Sequence, residues 1–197
     1  TLYRRYLEIV RNLIDRGIRI DQVGLQMHIF NPNESREIAR GANILTPEKI
    51  EQRLDLMADA GRPLHVSEVT VSAPDDSDNG KQIQAEITKN LYRLWFSHPD
   101  VIGITWWNVV DGGAAPGEPS FSGIYDKELK PKPVYYLLDE LINREWKTNI
   151  TLKAPKDGVV HFRGFKGRYV VSWKDKSGKM NQKEFDLLKD GDGFHLN

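Results

Sequence analysis

Pro63-Leu64-His65-Val66-Ser67-Glu68-Val69-Thr70-Val71 is a run of strand-forming residues interrupted by one carboxylate. Its β-branched and aliphatic content predicts a strand. Glu68 stands among Leu64, Val66, Val69 and Val71, where removing its charge from water is costly. It therefore finds partners in the fold or has chemical work to do, unless it is an edge-strand Glu facing water. The flanks of this strand decide the architecture. Upstream, Thr46-Pro47-Glu48 reads as N-cap, first helical position and first-turn acid, with Ile50, Leu54 and Met57 as an inner stripe and Gly61 as the stop. Downstream, a polar loop from Ala73 to Gly80 leads into a helix from about Lys81 to Ser97 carrying Ile83, Ile87, Leu91 and Leu94.

The same alternation extends both ways. Leu2, Tyr6, Ile9 and Leu13 predict an amphipathic helix ending near Gly17, and Val23, Leu25, Met27 and Ile29 alternate with Gly24, Gln26 and His28 as a strand. Val101 to Val110 is nearly all apolar, as a parallel strand covered on both faces would be. A Gly-, Ala- and Pro-containing loop, Asp111 to Gly123, precedes Pro133 and a last helix with Val134, Leu137, Leu138, Leu141 and Ile142. Three strands each followed by a helix predict α/β with a parallel sheet. From Thr148 the texture changes. Val159 to Phe162, Arg168 to Trp173 and Asn181 to Leu187 are short β-rich runs separated by Asp157-Gly158 and Lys176-Ser177-Gly178 turns, which predicts a small antiparallel appendage. Residues 1–146 and 147–197 are accordingly read as two domains, with Phe162, Phe165, Tyr169 and Trp173 as the core of the second.

The chain of 197 residues has a formal charge of zero and no local basic cluster, which argues against nucleic acid or an anionic membrane as partner. No run approaches a membrane span. Cysteine is absent, so disulfides and thiolate chemistry are excluded. His28, His65 and His98 lack ligand-like spacing, so no metal is expected, and no phosphate-loop or Gly-x-Ser-x-Gly motif points to a cofactor or a serine nucleophile.

Ligands of parallel α/β sheets bind at the C-terminal ends of the strands. There the first strand offers Gln26 and His28, the second Glu68, and Gly103-Ile104-Thr105-Trp106-Trp107-Asn108 offers Trp107 on the face of Gly103 and Thr105. A carboxylate, an imidazole, an amide and an indole plane suit carbohydrate chemistry: a nucleophile, hydroxyl partners and a flat apolar floor. Taken singly, His28 also reads as a hydrogen-bonded core histidine, and Trp106 and Trp107 as packing residues.

Gln26-Met27-His28, the Glu68 strand, Gly103 to Asn108, Gly123-Ile124-Tyr125-Asp126 and Lys130-Pro131-Lys132-Pro133-Val134-Tyr135-Tyr136 together resemble the C-terminal part of the glycoside hydrolase family 10 endo-β-1,4-xylanases, over about Leu2 to Glu145. The resemblance implies the last three strands of a (β/α)8 TIM barrel and a retaining, double-displacement mechanism on xylan. Glu68 would be the nucleophile, Gln26 and His28 would hydrogen-bond around the catalytic carboxylates, and Trp107 would floor the sugar. The family's acid/base Glu lies in an Asn-Glu pair on the fourth strand, which would fall upstream of Thr1. Asn33-Glu34 does not stand in, because it is read as part of the loop after the first strand. The expectation is therefore a polypeptide that carries one of two catalytic carboxyls, is inactive alone, and needs the N-terminal part of the barrel as partner.

Two positions depart from the family pattern. Thr70 stands where most members have an Asp that helps to hold the histidine, and Asp111 to Ser122 contains no second Trp, Phe121 being its one aromatic. A non-catalytic carbohydrate-binding relative, or a barrel glycosidase cleaving another β-linked polysaccharide, remains open beside the xylanase reading. A polymeric substrate too large to import implies a secreted, periplasmic or cell-surface protein.

Overall fold

The structure, a computed structural model, describes residues 1–175, 177–189 and 191–193. It divides into two compact units, Thr1–Leu138 and Asp139–Asn197. In the first, α1 (Leu2–Asp15), β1 (Val23–Ile29), α2 (Pro32–Ala39), α3 (Pro47–Ala58), β2 (Leu64–Val71), α4 (Asp78–Ser97) and β3 (Val101–Trp106) follow one another, and α5 (Pro133–Glu140) runs out of it. The three strands form a parallel sheet in the order β1-β2-β3. The alternating α/β reading is what the chain adopts.

Local signals explain most boundaries. Thr46 accepts from the Lys49 N–H and caps α3, whose Ile50, Leu54 and Met57 are fully buried. Gly61, at φ +66, terminates it in a conformation that a Cβ would strain. Ser77 accepts from the Gly80 N–H, so α4 begins at Asp78, three residues before Lys81. The deepest α4 residues include Gln84, Thr88 and Trp95 beside the expected Ile87 and Leu91.

Four expectations are corrected. In α1 the buried residues are Leu7 and Val10, while Leu2 and Ile9 face solvent. Two adjacent stripes of that helix satisfy helical spacing, and packing against α3 selects the one holding Leu7 and Val10. Arg11 donates to the Asp59 carbonyl at the C-terminus of α3, and the Arg53 guanidinium lies over the Tyr3 ring, which fixes this choice. Second, the loop assigned to Asn33-Glu34 is the helix α2, capped by Asn31 with Pro32 at its start. Third, β3 ends at Trp106 rather than Val110, because the Trp106 indole N–H donates to the Asn108 carbonyl and turns the chain aside. As an outer strand of the described sheet it is also incompletely covered, with Ile102 exposed. Fourth, Val159 to Phe162 forms no ladder.

In the second unit β4 (Gly167–Lys174) pairs antiparallel with β5 (Met180–Leu187). Tyr169 stacks on its register partner Phe185 at 5.4 Å between centroids, and Phe162 packs edge-on to Phe185 at 6.2 Å. The Val159 to Phe162 run thus contributes a ring to the cluster without joining the sheet. Of the turn read at Lys176-Ser177-Gly178, Lys176 lies outside the described residues. Asp175 organises this turn by accepting from the Ser177 hydroxyl, the Asn181 amide and the Lys179 N–H. These bonds pull its pKa down to about 2. A carboxyl lowered on folding stabilises above its unfolded value and stops doing so as pH falls through the folded one. Protection of the Ser177 and Lys179 amides, taken relative to intrinsic exchange at each pH, is therefore expected to hold at pH 5 and to fall between about pH 4 and pH 2.

Candidate active site

Ser67 is the hinge of the site. Leu25 pairs with Val66 and Gln26 with Glu68, so Ser67 is an extra residue in β2. The other neighbour shows the same step: Val66 pairs with Ile104 and Val69 with Trp106. This is a β-bulge, and it changes which face each later residue occupies. Before it Leu64 and Val66 point to the helices, and after it Val69 and Val71 do, all four fully buried. Glu68 is thereby aligned with Gln26, and Thr70 with His28. Were the strand regular with Ser67 paired in the ladder, Glu68 would share a face with Leu64 and Val66, among the helices.

Three of the four residues singled out from sequence converge. The Gln26 side-chain amide donates to Glu68 Oε1 at 3.1 Å, and His28 Nε2 lies 3.4 Å from Glu68 Oε2. The His28 side chain is 11 % exposed and that of Glu68 25 %, so the carboxylate is held from below and reachable from outside. Phe30, two residues beyond His28, stacks on the imidazole at 4.2 Å and 13° and fixes its plane. One carboxylate oxygen thus accepts a bond from Gln26, and the other faces the imidazole.

Trp107 lies just past the end of β3 and makes different contacts. Its backbone N–H donates to the carbonyl of Val69, the residue after Glu68, so it stands beside the carboxylate's position in the sheet. The residue is 46 % exposed, and its indole N–H donates to Glu118 Oε1 at 3.3 Å. The other Glu118 oxygen accepts from the Asn108 amide, which also donates to Ser122. Glu118 therefore ties the loop after β3 to the indole. Sequence reading passed over it, because an acid in a Gly- and Pro-rich loop has no periodic neighbours to mark it.

Beneath these residues His65 Nε2 meets Thr105 Oγ1 at 2.9 Å, and Gly103 leaves room for that ring, since a Cβ there would come within 2.9 Å of it. Replacing Gly103 by Ala is expected to destabilise by about 1–3 kcal/mol through this overlap, read by denaturant unfolding. Beyond β3, Lys132 and Asp111, both fully buried, pair at 2.9 Å and grip the Gly123 peptide from its two ends: Lys132 donates to the Gly123 carbonyl and Asp111 accepts the Gly123 N–H. The Gln84 amide donates to the same carbonyl and to that of Val71. Burial pushes the Asp111 carboxyl up and the Lys132 amine down. Among the described residues no group of three His, Cys, Asp or Glu side chains is disposed to hold a metal ion, and no helix is long and apolar enough to cross a membrane.

The chain is 28% identical over 147 residues to endo-1,4-beta-xylanase B of Thermotoga neapolitana, a match covering 71% of this chain and 39% of that protein. It is 27% identical over 164 residues to the anti-sigma-I factor RsgI6 of Acetivibrio thermocellus, covering 83% of this chain and 19% of the relative. Its fold is similar to that of TsXylA, an intracellular xylanase from Thermoanaerobacterium saccharolyticum solved with xylotetraose, with a TM-score of 0.54, 22% identity, and coverage of 69% of this chain and 39% of that one. The chain thus spans well under half the length of these relatives. The three strands and their helices correspond to part of a (β/α)8 barrel. The model of glycosyl hydrolase family 10 matches residues 3–141, and the chain belongs to that family.

Proposed function

We propose that residues 1–146 form the nucleophile-bearing side of a retaining glycoside hydrolase cleaving internal β-1,4 bonds of xylan, with Glu68 as the nucleophile. The observation that carries this is the Glu68 carboxylate, partly exposed and held by the Gln26 amide and the His28 imidazole on a bulged strand. One Glu68 oxygen attacks the anomeric carbon as the glycosidic C–O bond breaks, and an acid protonates the departing oxygen. A water deprotonated by that same group then cleaves the glycosyl ester and regenerates the carboxylate. Retention needs the second carboxyl about 5–5.5 Å away. In line with the family pattern of an acid/base on the fourth strand, that group is assigned to a residue outside 1–197, and residues 1–197 alone are expected not to turn over substrate. The names of the family relatives support xylan as the polymer.

Joined to the rest of the barrel, the protein is expected to be labelled by a 2-fluoro-xylobioside carrying a good leaving group. Mass spectrometry should find the sugar on the peptide containing Glu68, and a label on another residue would end the assignment. Trp107→Ala is expected to weaken xylo-oligosaccharide binding roughly tenfold through loss of the aromatic floor, measured by calorimetry.

A second reading rests on the two departures from the family pattern, Thr70 and the loop 111–122 without a Trp. In it the cleft binds a polysaccharide without cutting it. Saccharide binding without release of reducing ends by the barrel-complete protein would favour this reading.

A further inference from the structure

The Glu118 carboxylate is held by two uncharged donors, the Trp107 indole N–H on Oε1 and the Asn108 amide on Oε2 at 3.0 Å. Among the described residues no Lys, Arg or His side chain pairs with it. Of the cations beside this loop, Lys132 is bonded to Asp111, and the Lys127 chain runs past Gly112. An ionised carboxylate has roughly four acceptor positions, of which two are taken here. Glu118 is half-buried, so it is still reachable from outside.

Its place is fixed by the loop around it. Asn108 is buried and also donates to the completely buried Ser122, whose hydroxyl donates to the Pro119 carbonyl, the residue next to Glu118. The Gly112 N–H donates to the Ser120 carbonyl and the Ala73 N–H to that of Phe121, which ties the loop to the chain leaving β2. An indole N–H lies in the ring plane, so its acceptor sits at the edge of the ring and leaves the faces clear. A sugar ring resting on one face, at about 3.5–4.0 Å, directs its equatorial hydroxyls out over that edge.

We infer that Glu118 is a substrate-contacting specificity residue: it accepts a hydroxyl of the sugar stacked on Trp107 and disfavours a sugar there that carries a carboxylate of its own. This rests on Trp107 being the sugar floor of the function proposed above. A neutral sugar gains a charge-assisted hydrogen bond, stronger than one to an uncharged acceptor. A uronic acid meets a like charge that no bonded cation offsets, in a cleft where charges are screened less than in bulk water. Glu68, on the neighbouring strand, adds to the same sign. One carboxylate thus supplies both the attraction to the right ligand and the repulsion of the wrong one.

In the barrel-complete protein, calorimetry at low ionic strength compares xylotriose, xylotriose bearing a uronic acid branch on each sugar in turn, and the carboxyl-reduced twin of each branched compound. For at least one branch position the acid is expected to bind about five- to tenfold more weakly than its twin, and about 0.5 M salt should narrow the gap. Glu118→Gln should close the gap to within about twofold and weaken xylotriose itself about threefold, since the amide loses the charge but keeps one acceptor. Equal affinities for every acid and its twin in the unmodified protein would overturn the inference, whether or not the Gln variant folds. A gap that persists undiminished in a folded Gln variant would overturn it as well, by placing the repulsion elsewhere. A gap that closes in the Gln variant, together with a fluoro-sugar label away from Glu68, would support the inference and overturn only the nucleophile assignment. Absence of any xylotriose binding would overturn the xylan reading and this inference together.

Discussion

Replacing Glu68 by Gln in the barrel-complete protein is expected to lower kcat on xylan by on the order of 10⁴-fold, in line with nucleophile removal in other covalent enzymes. The substitution keeps size and shape but removes the charge and the nucleophilic oxygen. It also leaves a local conflict. Glu68 accepts from Gln26 at one oxygen and faces His28 Nε2 with the other, whereas a Gln amide offers one acceptor and one donor, so one of the two partners meets an N–H. A modest loss of stability should accompany the loss of rate, and thermal unfolding separates the two. Chemical rescue makes the test sharper. Glu68→Ala opens space for a small anion, and added azide should restore turnover while giving a glycosyl azide of inverted configuration, because only one displacement then occurs. Comparable xylan activity in the Gln variant would remove Glu68 from the mechanism.

Lys132→Met is expected to destabilise the fold by about 3–5 kcal/mol, because it strands a buried carboxylate. Asp111 and Lys132 are each 2 % exposed at the side chain and bonded at 2.9 Å, with the Gly123 peptide between them. Burial already raises the Asp111 carboxyl, so the folded state holds its proton more tightly than the unfolded state does. Such a group favours folding at low pH, and its contribution is lost as pH rises through the folded value. The cost of Lys132→Met should therefore be largest at neutral pH and shrink on acidification, as Asp111 becomes neutral. Replacing both partners with apolar residues is expected to recover part of the loss, since desolvation offsets much of a buried pair's attraction while the Gly123 N–H loses its acceptor. Urea midpoints for the two variants at pH 5 and pH 8 check both statements. Equal costs at the two pH values would show that Asp111 is not the group responsible.

Much of this architecture was legible from local chemistry. Thr46, Pro47 and Gly61 delimit α3, and alternation around Gln26 and His28 marks β1. What escaped the sequence reading depended on tertiary choice. The two apolar stripes of α1 are equivalent until α3 selects one, and α2 has caps but scarcely an apolar face. The Trp106 side chain ends β3 through a bond to a carbonyl two residues ahead, which strand propensity does not register. In the site, the convergence of Gln26, His28 and Glu68 agrees with strand-end logic, while Glu118 needed a loop conformation to become visible. One overlooked signal was present. The apolar positions in β2 run Leu64, Val66 and then Val69, Val71, a change from even to odd numbers that announces an extra residue between them.

That extra residue makes Ser67 a phase shifter for the strand's chemistry. Deleting it would leave a regular ladder in which the acid still meets Gln26 and Val69 and Val71 still face the greasy layer, whereas keeping it while straightening the strand would swing the acid into that layer. Transplanting this strand into another scaffold preserves its reactivity only if the bulge forms there or the additional residue is left behind. An alignment that closes the gap there would match the acid to a packing residue and misjudge a competent relative as dead.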